Sequence, residues 1–260
     1  MGKIFSSVEK VLDILSIFDA ESKELSVREI SRRLDLPLSS AYKYIDVLIK
    51  RGFLSKDKDT KKLSLGFIIL RLADQVDVKT RLIDAALPHM HSLSKRSGET
   101  ISLAIVNGWE GLCIEKIESP KKVKLTVERG SSISLHAGAG QKVCLAYQKS
   151  SFLEKMIKAT GLPRLCSNTI TDPEKLKSEL LKIRKQGFAL SNSEVDSGAS
   201  AVAAPIFNHK AQLEAGLTLS GPKERIKNED LSGLIEMVKD SASKISHDLG
   251  YREDTLKKTE

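Results

Sequence analysis

Residues 26–53 read SVREISRRLDLPLSSAYKYIDVLIKRGF, and this stretch decides the fold of the first quarter of the chain. Ser26 is followed three residues later by Glu29, the spacing of a capping box, so a short helix is expected to begin there. Asp35-Leu36-Pro37 interrupts the helical pattern, and a second helix is expected to run from Ser39 to Arg51 and to stop at Gly52, a residue that favours helix ends. Two short helices joined by a tight turn predict a helix-turn-helix, whose second helix can enter the major groove of DNA.

The sequence on either side of this motif predicts a winged form of it. Apolar residues recur at helical spacing from Val8 to Phe18, which predicts a supporting helix capped by Ser6 or Ser7. Beyond the motif, the apolar segments 53–54 and 63–65 flank a turn that is rich in lysine. Such a pattern is typical of a two-stranded wing with a basic loop, which can lie along phosphate groups beside the groove.

Charge and side-chain chemistry favour double-stranded DNA as the partner of this region. Residues 26–65 contain ten Lys or Arg against five Asp or Glu, a net charge of +5 that attracts polyanions. A small helical domain that docks a protein, with a merely solvated basic turn, is the alternative. Hydroxyl, phenol and cationic groups at the helix start and in the wing suit bases and phosphates. The predicted DNA contacts are Ser26, Arg28, Ser39, Ser40, Tyr42, Lys43, Tyr44, Lys56, Lys61 and Lys62.

Beyond the wing, the hydrophobic pattern predicts an α+β domain. The alternating run 100–106 is followed by Asn107-Gly108 and a second alternating run, a strong signal for a β-hairpin. Later strands and helices complete an antiparallel sheet flanked by helices. Further strands are expected at 123–127, 200–207 and 213–219, and helices at 81–95 with a kink at Pro88, 140–148, 173–185 and 228–249.

The residues favour a binding protein over an enzyme that acts on a small metabolite. The segment Gly138–Lys142 lacks the spacing of a P-loop and the third glycine of a dinucleotide fingerprint. It predicts a tight turn that opens a helix, whose free N–H groups would suit a ligand carboxylate. His136 is the best candidate for a general base but has no accompanying nucleophile motif, and the five histidines form no metal-ligand pattern. We therefore expect no catalytic residue, metal or cofactor.

Composition and cysteine spacing predict a cytoplasmic globular protein. The chain is 40% apolar and 29% charged, unlike a disordered protein. Three widely spaced cysteines form neither a CxxC pair nor a disulfide framework, so reduced thiols are expected. No secretory leader pattern is evident, and no apolar run approaches the roughly 18 residues of a membrane span.

Several segments resemble the IclR family of bacterial transcription regulators, and together they cover nearly the whole chain. Gln141 departs from the family pattern, which usually has glycine before the lysine. The segment Ser191–Glu194 is less acidic than in many members, which leaves the identity of the ligand open. The matching segments are 26–31, 36–45, 51–54, 63–66, 97–100, 135–142, 203–207 and 219–222.

The resemblance implies a two-domain regulator. It divides the chain into a winged helix-turn-helix domain (1–66), a linker helix (67–80), a GAF-like effector-binding domain (81–252) and a tail (253–260). The linker would also pair subunits, although its apolar stripe from Phe67 to Ala73 is equally consistent with a core within one chain.

The resemblance also implies the function and its ligand site. The chain is expected to be a homodimer or tetramer that represses a catabolic operon by binding a palindromic operator. A small organic acid in the C-terminal domain would control it. The ligand-binding residues carried over from the family are Leu125, Ile133, Ala139, Gly140, Ser191, Ala199, Ala201, Thr218 and Ser220.

Overall fold

The computed structural model describes residues 4–18, 22–74, 80–228 and 230–252. The chain divides into two compact units, Met1–Asp77 and Val78–Glu260. Each unit has its own hydrophobic core. The predicted tail lies outside the described residues, and the predicted linker is described in part.

The N-terminal unit is a winged helix-turn-helix, as predicted. Its core consists of apolar residues from all three helices of the motif and from both wing strands, including Ile14, Ile30, Ile45, Leu54 and Leu63. The two wing strands pair antiparallel, with Leu54 opposite Leu65. The elements are α1 (Ile4–Ser16), α2 (Val27–Arg33), α3 (Leu38–Lys50), β1 (Leu54–Lys56), β2 (Leu63–Leu65) and α4 (Phe67–Asp74).

The predicted capping box opens α2. The Ser26 N–H donates to Glu29 Oε2 at 2.7 Å, and Ser26 Oγ accepts the Glu29 N–H at 3.3 Å. The hydrogen bonds from Ser26, the backbone one first, lower the pKa of the Glu29 carboxyl. Gly52 ends α3, as predicted. It takes a positive φ of 77° just after the helix, a conformation that glycine adopts readily at helix ends.

Two helices begin earlier than predicted. Helix α1 begins at Ile4 rather than after a serine cap, so Ser6 and Ser7 lie in its first turn. Serine is tolerated there because the first N–H groups of a helix have no intrahelical partner. Helix α3 begins at Leu38, and Pro37 before it provides no side-chain cap. Proline fits this position because its fixed φ suits a helix start and its missing N–H would have had no partner.

The C-terminal unit is an antiparallel sheet between two layers of helices. The sheet order within the described residues is β5-β4-β3-β8-β7-β6, and every neighbouring pair is antiparallel. The elements are α5 (Thr80–Ser97), β3 (Thr100–Asn107), β4 (Glu110–Ile117), β5 (Ser132–Ser134), α6 (Ala139–Ala146), α7 (Ser150–Thr160), α8 (Pro173–Gln186), β6 (Ala189–Asn192), β7 (Ala199–Phe207), β8 (Leu213–Pro222), α9 (Lys223–Asn228) and α10 (Leu231–Asp248).

Alternation along the strands divides this unit into two cores. On β7, Val202 and Ala204 pack with α5 and α10 on one face of the sheet. Ala201 and Ala203 point to the other face, which α6, α7 and α8 cover. The same alternation places Ser102 of β3 and Thr218 of β8 on the α6 face, where a cavity lies.

The predicted strand 123–127 is wrong, because this segment is an extended loop outside the sheet. Strand β5 takes the edge of β4 instead, with Ile133 opposite Gly111. The loop is held by other hydrogen bonds: Thr100 Oγ1 donates to the Leu125 carbonyl at 2.8 Å, and the Arg225 guanidinium donates to the Val123 carbonyl at 3.0 Å.

Other differences concern the helices and the hairpin turn. The predicted helix 228–249 corresponds to α10, and the short helix α9 before it was not predicted; Pro88 lies inside α5. The hairpin is present, but Asn107 belongs to β3, so the turn is Gly108-Trp109. Helix α7 and strand β6 were not predicted.

Candidate DNA-binding surface and effector cavity

Helix α3 presents a polar exposed face at its N-terminal half. Burial of Ala41, Ile45 and Leu48 in the core of the N-terminal unit fixes the rotation of the helix. Ser39, Tyr42 and Lys43 therefore face solvent, as a helix needs in order to read a groove. The next exposed turn carries an ion pair between Asp46 and Lys50 at 2.7 Å.

The wing is a tight turn organised by Asp57. Its Oδ1 accepts hydrogen bonds from the Thr60 N–H at 2.7 Å, from the Thr60 hydroxyl at 2.9 Å and from the Asp59 N–H at 3.0 Å. These bonds, led by the Thr60 N–H, lower the pKa of the Asp57 carboxyl. The turn holds exposed lysines, of which Lys56, Lys61 and Lys62 were predicted to contact DNA; Lys58 was not named.

The other predicted DNA contacts differ in exposure. Arg28 is exposed on α2, whereas Ser26 and Ser40 are half-buried and the Ser26 hydroxyl is part of the capping box. Tyr44 departs most from the prediction: it is half-buried against the core of the unit, and its hydroxyl donates to Ser7 Oγ at 3.4 Å. Tyr44 therefore braces α3 against α1.

The α6 face of the C-terminal unit holds a cavity of about 120 Å³, which we name the effector cavity. Eight of the nine residues carried over as ligand-binding line it, all except Gly140. Ser102, Gln141 and the acidic pair Glu194 and Asp196 also line the cavity but were not predicted. The full lining is Ser102, Leu125, Thr126, Val127, Ile133, Gly138, Ala139, Gln141, Ser191, Glu194, Val195, Asp196, Ala199, Ser200, Ala201, Thr218 and Ser220.

Gly140 lies behind the cavity wall, where α6 meets β8. A Cβ added at Gly140 would lie 2.3 Å from Thr218 Oγ1, so only glycine permits this approach. Gly216 of β8 also lies close to α6, because a Cβ added at Gly216 would lie 2.8 Å from the Gly140 carbonyl oxygen. Gly140 therefore sets how near the first turn of α6 comes to the sheet, and with it the shape of the cavity.

A buried charge network lies beside the cavity. Lys142 on α6 is 1% exposed, and its Nζ donates to Glu194 Oε1 at 2.6 Å, to the Leu190 carbonyl at 2.8 Å and to Glu179 Oε1 at 3.4 Å. Glu194 Oε2 accepts the Gly138 N–H at 3.0 Å. These bonds join α6, α8, β6 and the loop that follows β6. A lysine among the apolar residues of one short helix was the sequence signal for this network.

A second buried carboxylate anchors the opposite wall. Glu99 is fully buried, and its two oxygens accept from the Arg225 guanidinium at 2.5 and 2.7 Å and from Lys121 Nζ at 2.8 Å. Arg225 and Thr100 both donate to carbonyls of the loop that carries Leu125. The Ser97–Thr100 segment thus positions an apolar wall of the cavity.

The described residues present no reactive constellation. Burial raises the pKa of the Cys144 thiol to about 12 and that of the Cys113 thiol to about 11, so neither is a ready nucleophile. His136 is buried, with Nε2 2.9 Å from the Pro163 carbonyl, a structural contact. Within the described part of the chain, no three His, Cys, Asp or Glu side chains come together as a metal site. No helix in those same ranges is long and apolar enough to span a bilayer.

A winged helix-turn-helix joined to a second domain that encloses a small cavity defines the class of DNA-binding transcriptional regulators. Two family models identify the kind of regulator. Residues 7–58 match the IclR helix-turn-helix domain, and residues 75–247 match the bacterial transcriptional regulator IclR C-terminal domain. The chain belongs to the IclR family and is a transcriptional regulator, not an enzyme.

Individual relatives agree over almost the full length. The HTH-type transcriptional regulator KipR of Bacillus subtilis (strain 168) is 33% identical over 245 residues, covering 94% of this chain and 97% of KipR. The HTH-type transcriptional repressor AllR of Salmonella typhi is 29% identical over 246 residues, covering 95% and 90%. The crystal structure of an IclR homolog complexed with 4-hydroxybenzoate from Microbacterium hydrocarbonoxydans matches with a TM-score of 0.82 at 26% identity, covering 94% and 98%.

Proposed function

We propose that this chain represses a catabolic operon and that a small organic acid in the effector cavity controls its binding to DNA. The observation that carries the proposal is the effector cavity, which combines apolar walls with a few hydroxyl groups, as small-molecule sites do. It occurs in one chain with a DNA-binding unit. A relative named as a repressor and a homologue in complex with 4-hydroxybenzoate support the two halves of the proposal.

For DNA, we propose that α3 enters the major groove while the wing contacts phosphates. Ser39, Tyr42 and Lys43 lie on the exposed face of α3 and are the candidates for base and backbone contacts. Lys61 and Lys62 in the wing would add affinity that depends on salt but not on sequence.

We further propose that the chain acts as a homodimer or tetramer on a palindromic operator, with subunits paired through residues 67–80. In α4, the side chain of Phe67 is 90% exposed and that of Leu70 is 63% exposed. Apolar exposure of this kind marks an interaction surface. A symmetric pair of subunits would bury it and present two α3 helices to two half-sites.

For the effector, we propose that the apolar body of the acid contacts Leu125 and Ile133. Its carboxylate would accept hydrogen bonds from neutral donors, namely the first-turn N–H groups of α6 and the hydroxyls of Thr218 and Ser220. Binding would favour one arrangement of the paired subunits and so change their affinity for the operator.

Fluorescence anisotropy with DNA from upstream of the gene tests the DNA half. Lys43→Ala should weaken binding, and it should reduce the salt dependence by about one released counterion if Lys43 contacts a phosphate. Lys158→Ala, an exposed lysine on α7, is the matched control and should change neither. Absence of salt-sensitive binding to any upstream fragment, with or without organic acids, would reject the DNA proposal.

Isothermal titration calorimetry tests the effector half. An acid found to stabilise the protein in a thermal-shift screen should bind more weakly to Ser220→Ala, because a lining hydroxyl is lost. Ser243→Ala, an exposed position on α10, is the control. An unaltered isotherm for Ser220→Ala would exclude this residue from the site.

A further inference from the structure

The effector cavity is lined by hydrogen-bonding groups and acids but not by cations. Among the described residues that line it there is no Lys, Arg or His, whereas Glu194 and Asp196 each bring a carboxylate. An anionic ligand therefore finds no lining counter-charge, and any second negative charge on it would meet the carboxylate of Asp196.

The nearest buried cation is already fully engaged. The ammonium of Lys142 has three donors, and the structure directs them to Glu194, Glu179 and the Leu190 carbonyl. Glu194 also accepts the Gly138 N–H at the start of α6. A carboxylate of the protein thus takes both Lys142 and a backbone donor that a ligand carboxylate could have used.

Asp196 is placed differently from Glu194. It lies in the turn between β6 and β7, and its backbone carbonyl accepts the Ala199 N–H at 3.2 Å. Asp196 is exposed and is one of the residues that line the cavity, and its carboxylate makes no hydrogen bond or ion pair with any residue that the structure describes. An ionised carboxylate only accepts hydrogen bonds, so Asp196 is complementary to a ligand hydroxyl or ammonium and opposed to a ligand carboxylate.

We infer that Asp196 determines which acids bind, an inference that rests on the proposed function, in which an organic acid fills this cavity. Asp196 selects acids that carry a hydroxyl or ammonium donor beside a single carboxylate, and it rejects dicarboxylates. The single carboxylate is held by neutral donors at the other polar positions of the lining, such as Gln141 and Thr218. Asp196 accepts the second group.

Calorimetry on the full chain tests this with probes that differ in one group. One set is 4-hydroxybenzoate, benzoate and terephthalate; an aliphatic set is 6-hydroxyhexanoate, hexanoate and adipate. In at least one set the hydroxylated acid should bind about ten-fold or more tightly than the unsubstituted one, the size of one hydrogen bond to a charged group. The dicarboxylate should bind weakest.

The variant Asp196→Asn should reverse part of this order. The hydroxylated acid should lose several-fold in affinity while the dicarboxylate gains, a crossover that general damage to the site would not produce. Glu236→Gln, which removes an exposed charge on α10, is the control and should leave the order unchanged. If the unsubstituted acid binds as tightly as its hydroxylated partner in both sets, or if the Asp196→Asn variant keeps wild-type preferences, the inference is overturned while the proposed function stands. Failure of every acid to bind overturns the proposed effector class as well.

Discussion

Replacing Lys142 by methionine is expected to destabilise the C-terminal unit by about 3 kcal/mol. The Lys142 side chain is 1% exposed and that of Glu194 is 9% exposed, with 2.6 Å between Nζ and Oε1. Removing one partner of a buried ion pair costs about 3–5 kcal/mol, because the other charge stays buried without compensation. The lower end of this energy range applies here, because Glu194 still accepts the hydrogen bond from the Gly138 N–H, and because the side chain of Glu179 is already 24% exposed to solvent.

Urea titration followed by tryptophan fluorescence measures this loss in the correct unit. Trp109 is the single tryptophan of the sequence and lies in the C-terminal unit, with its ring centroid 5.0 Å from that of Phe152. Its signal therefore reports that unit even if the two units unfold separately. With a denaturant slope of about 1–3 kcal/mol per molar urea, the midpoint should fall by roughly 1–3 M.

The double variant separates charge from packing. Lys142→Met together with Glu194→Gln removes both charges and should be more stable than Lys142→Met alone, because a neutral buried pair carries no uncompensated charge. Lys182→Met, at an exposed position on α8, is the matched control and should change little. A loss below about 1 kcal/mol for Lys142→Met, or a double variant as unstable as the sum of its single changes, would refute the reasoning.

Gly140→Ala should destabilise the C-terminal unit by about 1–3 kcal/mol in the same titration, because its Cβ would lie 2.3 Å from Thr218 Oγ1. Adding Thr218→Ala should restore stability, and no restoration would contradict the contact. Ser26→Ala should cost the N-terminal unit about 1 kcal/mol, measured by circular dichroism during thermal unfolding, because α2 loses its cap. The hydrogen bond with His89 at 2.8 Å lowers the pKa of the Asp248 carboxyl below its ordinary 3.8. Above pH 3.8 the wild-type chain should therefore keep its full stability advantage over the Asp248→Asn variant, and this advantage should vanish as the pH falls below the lowered pKa of Asp248. A wild-type advantage that grows in acid would contradict this prediction.

The helix-turn-helix was predictable because its determinants are local. A capping box, a proline and a helix-ending glycine all act within a few residues, and the structure has each of them within 26–53. The exposure of individual side chains was less predictable. Lys43 and Tyr44 are consecutive on α3, yet the rotation of the helix between them exposes Lys43 and turns the side chain of Tyr44 toward α1.

The charge network could not be predicted, because its partners are distant along the chain. Lys142 lies 37 residues from Glu179 and 52 from Glu194, and an isolated lysine in a sequence is normally solvated. The loop 123–127 was mistaken for a strand for a similar reason. Its local pattern fits a strand, but the edge of β4 pairs with β5 instead.

The cavity was predictable to the extent that strand alternation determines it. Family resemblance identified residues such as Ala201 and Thr218. Because side chains alternate between the two faces along β7 and β8, these residues point to the α6 face, where the cavity lies. Gly140 does not line the cavity, and the requirement for glycine there comes from its close approach to the side chain of Thr218.

The two faces of the sheet also indicate how an effector could act on the rest of the protein. Ala201 and Thr218 line the cavity, while their neighbours Val202 and Leu217 pack with α5 and α10 on the opposite face. Close-packed interiors transmit small displacements, so a ligand that moves β7 or β8 also moves the helices behind them. Helix α5 begins at Thr80, directly after the residues that connect the two units. Under the proposed function, a displacement of β7 or β8 by the effector would therefore reach α5 and α10 through the sheet.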